Sequence, residues 1–216
     1  MNLSFKPQII PIEEKPIQLI LASQSVGRKT LLEKLSLPFR TIISNVNEDA
    51  ITDKDPYKMI KKRAMAKSEE ILKNPRLYNI PDTERLLIIS ADSMAVLGTQ
   101  TFGKSADKEE TKNMLRKLMG KTHIFVTATV ITYMIGSSVK KTWDGIVKTK
   151  VTMKKLTVPE LDLYATRYDF SRFAAGYSIN EAPWDLITKI EGSYTNVIGL
   201  PFETILPIMR KLEIIK

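Results

Sequence analysis

An α/β fold with a mixed sheet is predicted by three features of this 216-residue sequence. Helix-like and strand-like patterns alternate along its length, as they do where helices cover a sheet. Residues 86–90 (LLIIS) form a continuous apolar run, the mark of a central strand buried on both faces. Residues 125–134 and 143–153 are rich in Val, Ile, Thr and aromatic side chains and are separated by Gly136-Ser137-Ser138, which reads as an antiparallel hairpin.

Each element follows from a local pattern. Residues 1–16 carry three prolines and read as an extended lead-in, and residues 17–216 as one α/β domain. Residues 17–22 form a short buried strand between Pro16 and a serine turn. Leu31, Leu32, Leu35 and Leu37 make a helical stripe that stops before Pro38. Residues 39–44 (FRTIIS) read as a second strand and 45–55 as an acidic loop. Pro56 suits the first turn of a long helix to about Lys73, with Met59, Ile60, Ala64, Ala66 and Ile71 as its apolar face. Residues 74–85 are a loop, the 86–90 strand has 94–97 as a possible continuation, and 98–105 is a turn region. Residues 107–119 form a helix with Met114, Leu115 and Leu118 inward and Gly120 as its stop. After the hairpin, Pro159 opens another helix, residues 192–201 form a glycine-bracketed turn, and a helix with basic residues closes the chain.

Composition narrows the chemistry. The hydrophobic fraction of 43% and charged fraction of 26% are those of a globular protein. With no cysteine there are neither disulfides nor thiolate metal sites, which fits a reducing compartment. No apolar run approaches the roughly 20 residues that cross a bilayer, and the first residues do not resemble a secretory signal, so the cytoplasm is the expected location. The formal charge of +9, from 33 basic and 24 acidic residues, favours anionic partners such as nucleotides or nucleic acid. No recognition helix or aromatic RNA-binding signature supports the second.

Residues 19–32 (LILASQSVGRKTLL) run from an apolar strand through a hydroxyl-rich turn into a helix. Such a turn can cradle phosphate on the helix N-terminus, with hydroxyls from Ser23 and Ser25 and a planar cation from Arg28. It can equally be an ordinary capped turn. Asp92 follows the apolar 86–90 strand, where open α/β sheets bind ligands, and could hold a divalent cation or accept a proton from water. Glu48 follows the second strand and could reach the same crevice; two carboxylates suit Mg2+ or Mn2+ better than Zn2+. Lys67 and Lys104 could each neutralise a triphosphate, but by pattern alone both read as solvated lysines. His123, the single histidine, reads as a structural hydrogen-bonding residue.

In order along the chain, these pieces resemble the Maf family of nucleoside triphosphate pyrophosphatases. The family's A-S-x-S-x-R-R-x-x-L-L appears as ASQSVGRKTLL, its D-E pair as Asn47-Glu48, and its A-x-x-K as Ala64 to Lys67. A-D-T appears as Ala91-Asp92-Ser93, G-K-P as Gly103-Lys104-Ser105, and I-E-G-S-Y-x-N-V-x-G-L-P as IEGSYTNVIGLP. The helix DKEETKNML and the segment LMGKTH also match, so the resemblance covers about residues 17–212.

The resemblance implies an ITPase-like fold: an elongated twisted sheet flanked by helices, in two lobes around a central cleft. It implies hydrolysis of a non-standard, modified or pyrimidine nucleoside triphosphate to the monophosphate and pyrophosphate, with Mg2+ or Mn2+ as cofactor. By position, Ser23, Ser25, Arg28, Ser93 and Asn180 would bind substrate. Arg28, Lys67 and Lys104 would stabilise charge, and Glu48 and Asp92 would hold metal and activate water. A homodimer is the implied assembly. Four departures point to altered specificity, reduced rate or loss of turnover with binding kept. The family's first arginine is Gly27, and K-A-G-x-Y-x-I-Q-G reads FAAGYSINE, which puts Phe173, Asn180 and Glu181 at the lysine, glutamine and last glycine.

Overall fold

The computed structural model describes residues 16–81, 85–181 and 185–216; most of the expected N-terminal lead-in lies outside them. The first strand, β1 (Gln18–Ala22), leads through a turn into helix α1 (Val26–Glu33), which Ser25 caps by accepting from the Arg28 backbone N–H. Strand β2 (Phe39–Ile42) follows, two residues shorter than its sequence pattern. The acidic loop carries a short 3-10 turn, Glu48–Ala50, before helix α2 (Pro56–Lys73), whose first turn is capped by Asp55 and preset by Pro56.

The central strand, β3, spans Arg85–Leu97, so the expected continuation past residue 90 is present and unbroken. Asp92 is therefore inside a strand and not just past its end. The turn region includes strand β4 (Gln100–Phe102), and Asp107 caps helix α3 (Lys108–Leu118). Strands β5 (Thr122–Ile135) and β6 (Ser138–Met153) form the hairpin, both longer than read from sequence. Helix α4 (Val158–Arg167) starts with a reciprocal cap between Thr157 and Glu160. Strand β7 (Ile187–Glu191) and helix α5 (Tyr194–Ile198) were not legible in the sequence pattern; helix α6 (Phe202–Lys211) was.

The architecture is mixed α/β. The seven-stranded sheet has the order β2-β1-β3-β5-β6-β7, with β4 beside the second half of β3. β1 is parallel to β2 and β3, and the remaining pairs are antiparallel. Along β3, Leu87, Ile89 and Ala91 pack with Leu31 and Leu32 of α1 and Ile205 and Met209 of α6. The alternate residues Leu86 and Ile88 pack with Ile71 of α2 on the opposite face. Residues 86–89 are thus apolar throughout because helices cover both faces.

The buried stripe of α2 is Ile60, Ala64, Lys67, Ser68 and Ile71. This corrects the expected face: Ala66 is only half-buried, and Lys67 stands where a core residue would. Its spacing of seven from Ile60 is the helical period that marks that position.

Candidate active site

The site forms where one edge of β3 changes partners. β1 accompanies β3 only as far as Ala22 opposite Ser90, and β4 begins with Phe102 opposite Ala95. Between them residues 91–94 face no strand on that edge, while β5 covers the other. Buried backbone acceptors must still be satisfied. The Ala91 carbonyl accepts from Arg28 Nη1 at 2.9 Å and from Lys67 Nζ at 3.2 Å. Two cations, one from α1 and one from α2 on opposite sheet faces, thereby converge on the same gap.

Arg28 is 7% exposed and extensively bonded. Besides Ala91, its Nη1 donates to Ser23 Oγ at 3.0 Å, Nη2 to Ser93 Oγ at 2.9 Å, and Nε to the Gly199 carbonyl at 2.8 Å. A guanidinium has five N–H groups, so these four bonds leave one, on Nη2, for a ligand. Gly199 ends α5 at a φ of 106°, and a Cβ there would lie 3.3 Å from Arg28 Nε and Ser93 Oγ. Only glycine gives both the backbone angle and the room. The glycine-bracketed turn is thus the structural corner that holds Arg28. Asn196, fully buried, anchors it by donating to the Phe125 carbonyl and Thr149 Oγ1. Its burial was invisible in the sequence, where it is one polar residue in a turn.

Lys67 Nζ sits 2.6 Å from Glu48 Oε2 and 3.8 Å from Asp92 Oδ1. It is 6% exposed, which overturns the solvated reading from pattern alone. Burial lowers the pKa of Lys67, against the pull of Asp92. Burial likewise lowers that of Arg28, with Asp92 and Glu48 opposing. Asp92 is raised above the usual carboxylate range by burial, which outweighs Lys67 and Arg28. For Glu48, burial pushes up, but the Lys67 charge and hydrogen bond prevail and the pKa falls. The two acids are thus driven apart: Glu48 stays ionised, and Asp92 is the more basic. Asp92 Oδ2 is buried and has no hydrogen-bond partner among the described residues.

The other expected residues take different stations. Ser23 Oγ accepts from the Ser25 backbone N–H at 3.2 Å as well as from Arg28, and Ser25 caps α1, so the serine turn is both a capped turn and a wall of the cleft. Ser93 Oγ shares a 2.9 Å hydrogen bond with Thr127 in addition to Arg28. Lys104 is exposed on the loop between β4 and α3 and bears on Glu48 only through its charge. Asn180 lines the far end of the cleft, its Oδ1 accepting from Tyr194 Oη at 3.0 Å. Glu181 pairs with Arg172 at 2.8 Å. Gly27 packs against α5: a Cβ there would lie 3.1 Å from both Ile198 Cγ2 and the Ile198 carbonyl. A larger residue at 27 requires that contact to open. The whole cleft encloses about 730 Å³, within the range of small-molecule sites.

His123 lies outside this cluster. It is 1% exposed, its Nε2 shares a 2.8 Å hydrogen bond with Tyr177 Oη, and its Nδ1 has no partner among the described residues. Burial lowers its pKa from 6.5 to about 4, so the folded protein holds it neutral. Between those values the unfolded chain binds the proton and the native state does not, so stability falls as pH drops from about 6.5 to about 4. The loss expected from this residue is about 3 kcal/mol. Urea unfolding at pH 7 and pH 4.5 tests it, because His123→Gln should show a visibly smaller fall than the parent.

A family model described as Maf-like protein matches residues 18–212. The chain belongs to the Maf-like protein family. A dTTP/UTP pyrophosphatase of Agathobacter rectalis is 33% identical over 204 residues, covering 91% of this chain and 98% of the relative. One from Pyrococcus furiosus is 36% identical over 195 residues, covering 89% and 94%. Among solved structures, a HAM1 protein from Coxiella burnetii has 15% identity and a TM-score of 0.44, over 92% of this chain and all of that one. Among the described residues no helix is long and apolar enough to cross a membrane.

Proposed function

We propose that this Maf-like chain hydrolyses a nucleoside triphosphate between its α- and β-phosphates, giving the monophosphate and pyrophosphate. The observation that carries the reading is the gap in the β3 edge, where Arg28, Lys67, Glu48 and a partnerless Asp92 oxygen meet. Phosphoryl transfer is catalysed mainly by positioning and by neutralising charge, and this cluster offers both. The relatives named dTTP/UTP pyrophosphatase support the same activity class.

A divalent cation fits the donor set. Asp92 Oδ2 has an open lone pair, and Glu48 is its acidic neighbour across Lys67. Two carboxylates suit Mg2+ or Mn2+, since Mg2+ is usually held by one or two carboxylates together with substrate phosphates. Glu48 and Asp92 would hold the ion, which supplies charge neutralisation on the triphosphate and acidifies bound water.

The chain's own groups divide the remaining work. Asp92 accepts the proton of the attacking water on a carboxylate lone pair that the ion leaves free. Lys67, held by Glu48 and the Ala91 carbonyl, places a fixed ammonium beside the reacting phosphate. Arg28 offers its remaining N–H and orients Ser23 and Ser93. Lys104 covers the phosphates from the exposed side, and Asn180 meets the base. Incubation with a panel of common, deoxy and modified triphosphates plus Mg2+ or Mn2+ should release pyrophosphate from at least one, and chelation should stop it. Binding in calorimetry without turnover of any would favour a nucleotide-binding protein, a reading to which Gly27, Phe173, Asn180 and Glu181 lend support.

A further inference from the structure

The cations deep in the cleft are already engaged. Arg28 spends four N–H groups on the protein, and Lys67 is shared by Glu48 and the Ala91 carbonyl. A triphosphate carries about four negative charges and therefore needs accessible cations as well. One is Lys104. The structure places a second beside it. The Ala175 N–H donates to the Gly103 carbonyl at 2.8 Å, and the Ser105 N–H to the Ser171 carbonyl at 3.2 Å. These bonds tie the loop of Lys104 to the loop that carries Arg172 along one wall of the cleft.

Arg172 lies with its guanidinium carbon 5.0 Å from the centre of the Phe173 ring, and that ring is itself set edge-on against buried Phe170 at 5.8 Å. Its Nη2 pairs with Glu181 Oε2 at 2.8 Å, and the side chains are 57% and 40% exposed. An ion pair this wet is weak and is readily exchanged for a partner of higher charge. The pattern that the chain resembles has a lysine where Phe173 stands and a glycine where Glu181 stands. In this chain the cation is Arg172, one residue earlier, with the Glu181 carboxylate as its partner.

We propose that Arg172 is a further substrate-binding residue, which Glu181 holds at the cleft mouth until the guanidinium exchanges that carboxylate for polyphosphate oxygens of the nucleotide; this rests on the triphosphate reading above. Planar guanidinium and paired phosphate oxygens match bidentately, so the exposed Glu181 carboxylate keeps Arg172 only while the cleft is empty.

The test compares the parent with Arg172→Gln, Glu181→Gln and the double variant Arg172→Gln/Phe173→Lys. Hydrolysis kinetics would be paired with calorimetry of a non-hydrolysable triphosphate analogue and of the monophosphate. Arg172→Gln should raise the triphosphate KM and the analogue Kd about tenfold, the size of one lost charge-assisted contact, with kcat within about twofold. Monophosphate affinity should stay within about twofold, because the lost contact is to the outer phosphates. Glu181→Gln should lower the triphosphate KM by removing the competing carboxylate, and Phe173→Lys should restore binding in the Arg172→Gln background. Unchanged triphosphate affinity in Arg172→Gln, equal weakening of mono- and triphosphate, or weaker binding in Glu181→Gln would each overturn the proposal. A parent that binds no triphosphate would overturn the pyrophosphatase reading and this one together, whereas normal turnover with indifferent variants would remove only this one.

Discussion

Asp92→Asn is expected to lower kcat/KM by about a thousandfold or more while the protein remains folded, since the proposed mechanism would lose its proton acceptor and a metal ligand, roughly 4 kcal/mol of transition-state stabilisation. The amide keeps the volume and one acceptor oxygen, so packing along β3 is retained. Burial already disfavours the Asp92 charge. Its removal should therefore cost only about 1–2 kcal/mol, although Arg28 and Lys67 then share Glu48 as their acidic neighbour. In a chain of this size that is a fall in Tm of roughly 2–8 °C. Pyrophosphate release and a thermal melt on the same preparation check both halves, and near-parental turnover would remove Asp92 from the mechanism.

Arg28→Ala should be the most destabilising substitution in the site. It deletes four hydrogen bonds and leaves the Ala91 and Gly199 carbonyls without that donor. It also removes one of the positive charges that act on Asp92 and Glu48. A loss of about 3–5 kcal/mol is expected, or a Tm lower by roughly 10 °C. Arg28→Lys should rescue little, because three donors on a point charge cannot span acceptors on β3, α5 and the serine turn. Lys104→Ala provides the contrast: exposed and outside this network, it should weaken substrate binding while moving Tm by no more than about 2 °C. Calorimetric melts of the three variants distinguish a fold-holding arginine from a substrate-facing lysine. A parental Tm for Arg28→Ala would refute the structural role assigned to its bonds.

Local patterns in the sequence determined the mixed α/β class and most of the elements. Apolar runs of strand length and proline at the starts of α2 and α4 are each readable within a few residues. The ordered motifs also brought Ser23, Arg28, Glu48, Lys67, Asp92 and Lys104 forward as one group. Strand lengths were less legible, because β3 continues through Asp92 and Ser93, whose polarity reads locally as the end of a core strand.

Tertiary structure decided where each of those residues sits and what it bonds to. The burial of Lys67 depends on α2 lying across the β3 edge; its spacing from Ile60 was a signal available in the sequence, outweighed by the ordinary exposure of lysine. The engagement of Arg28 depends on a carbonyl 171 residues away, at Gly199. The pairing of Glu181 with Arg172 depends on how the connection between α4 and β7 turns back over nine residues, which periodicity does not encode. Periodicity and capping are properties of neighbouring residues, so the chain displays them directly. Which charge is buried, which is paired and which faces the cleft depends on where β1 ends and β4 begins beside β3, and only the assembled sheet sets that.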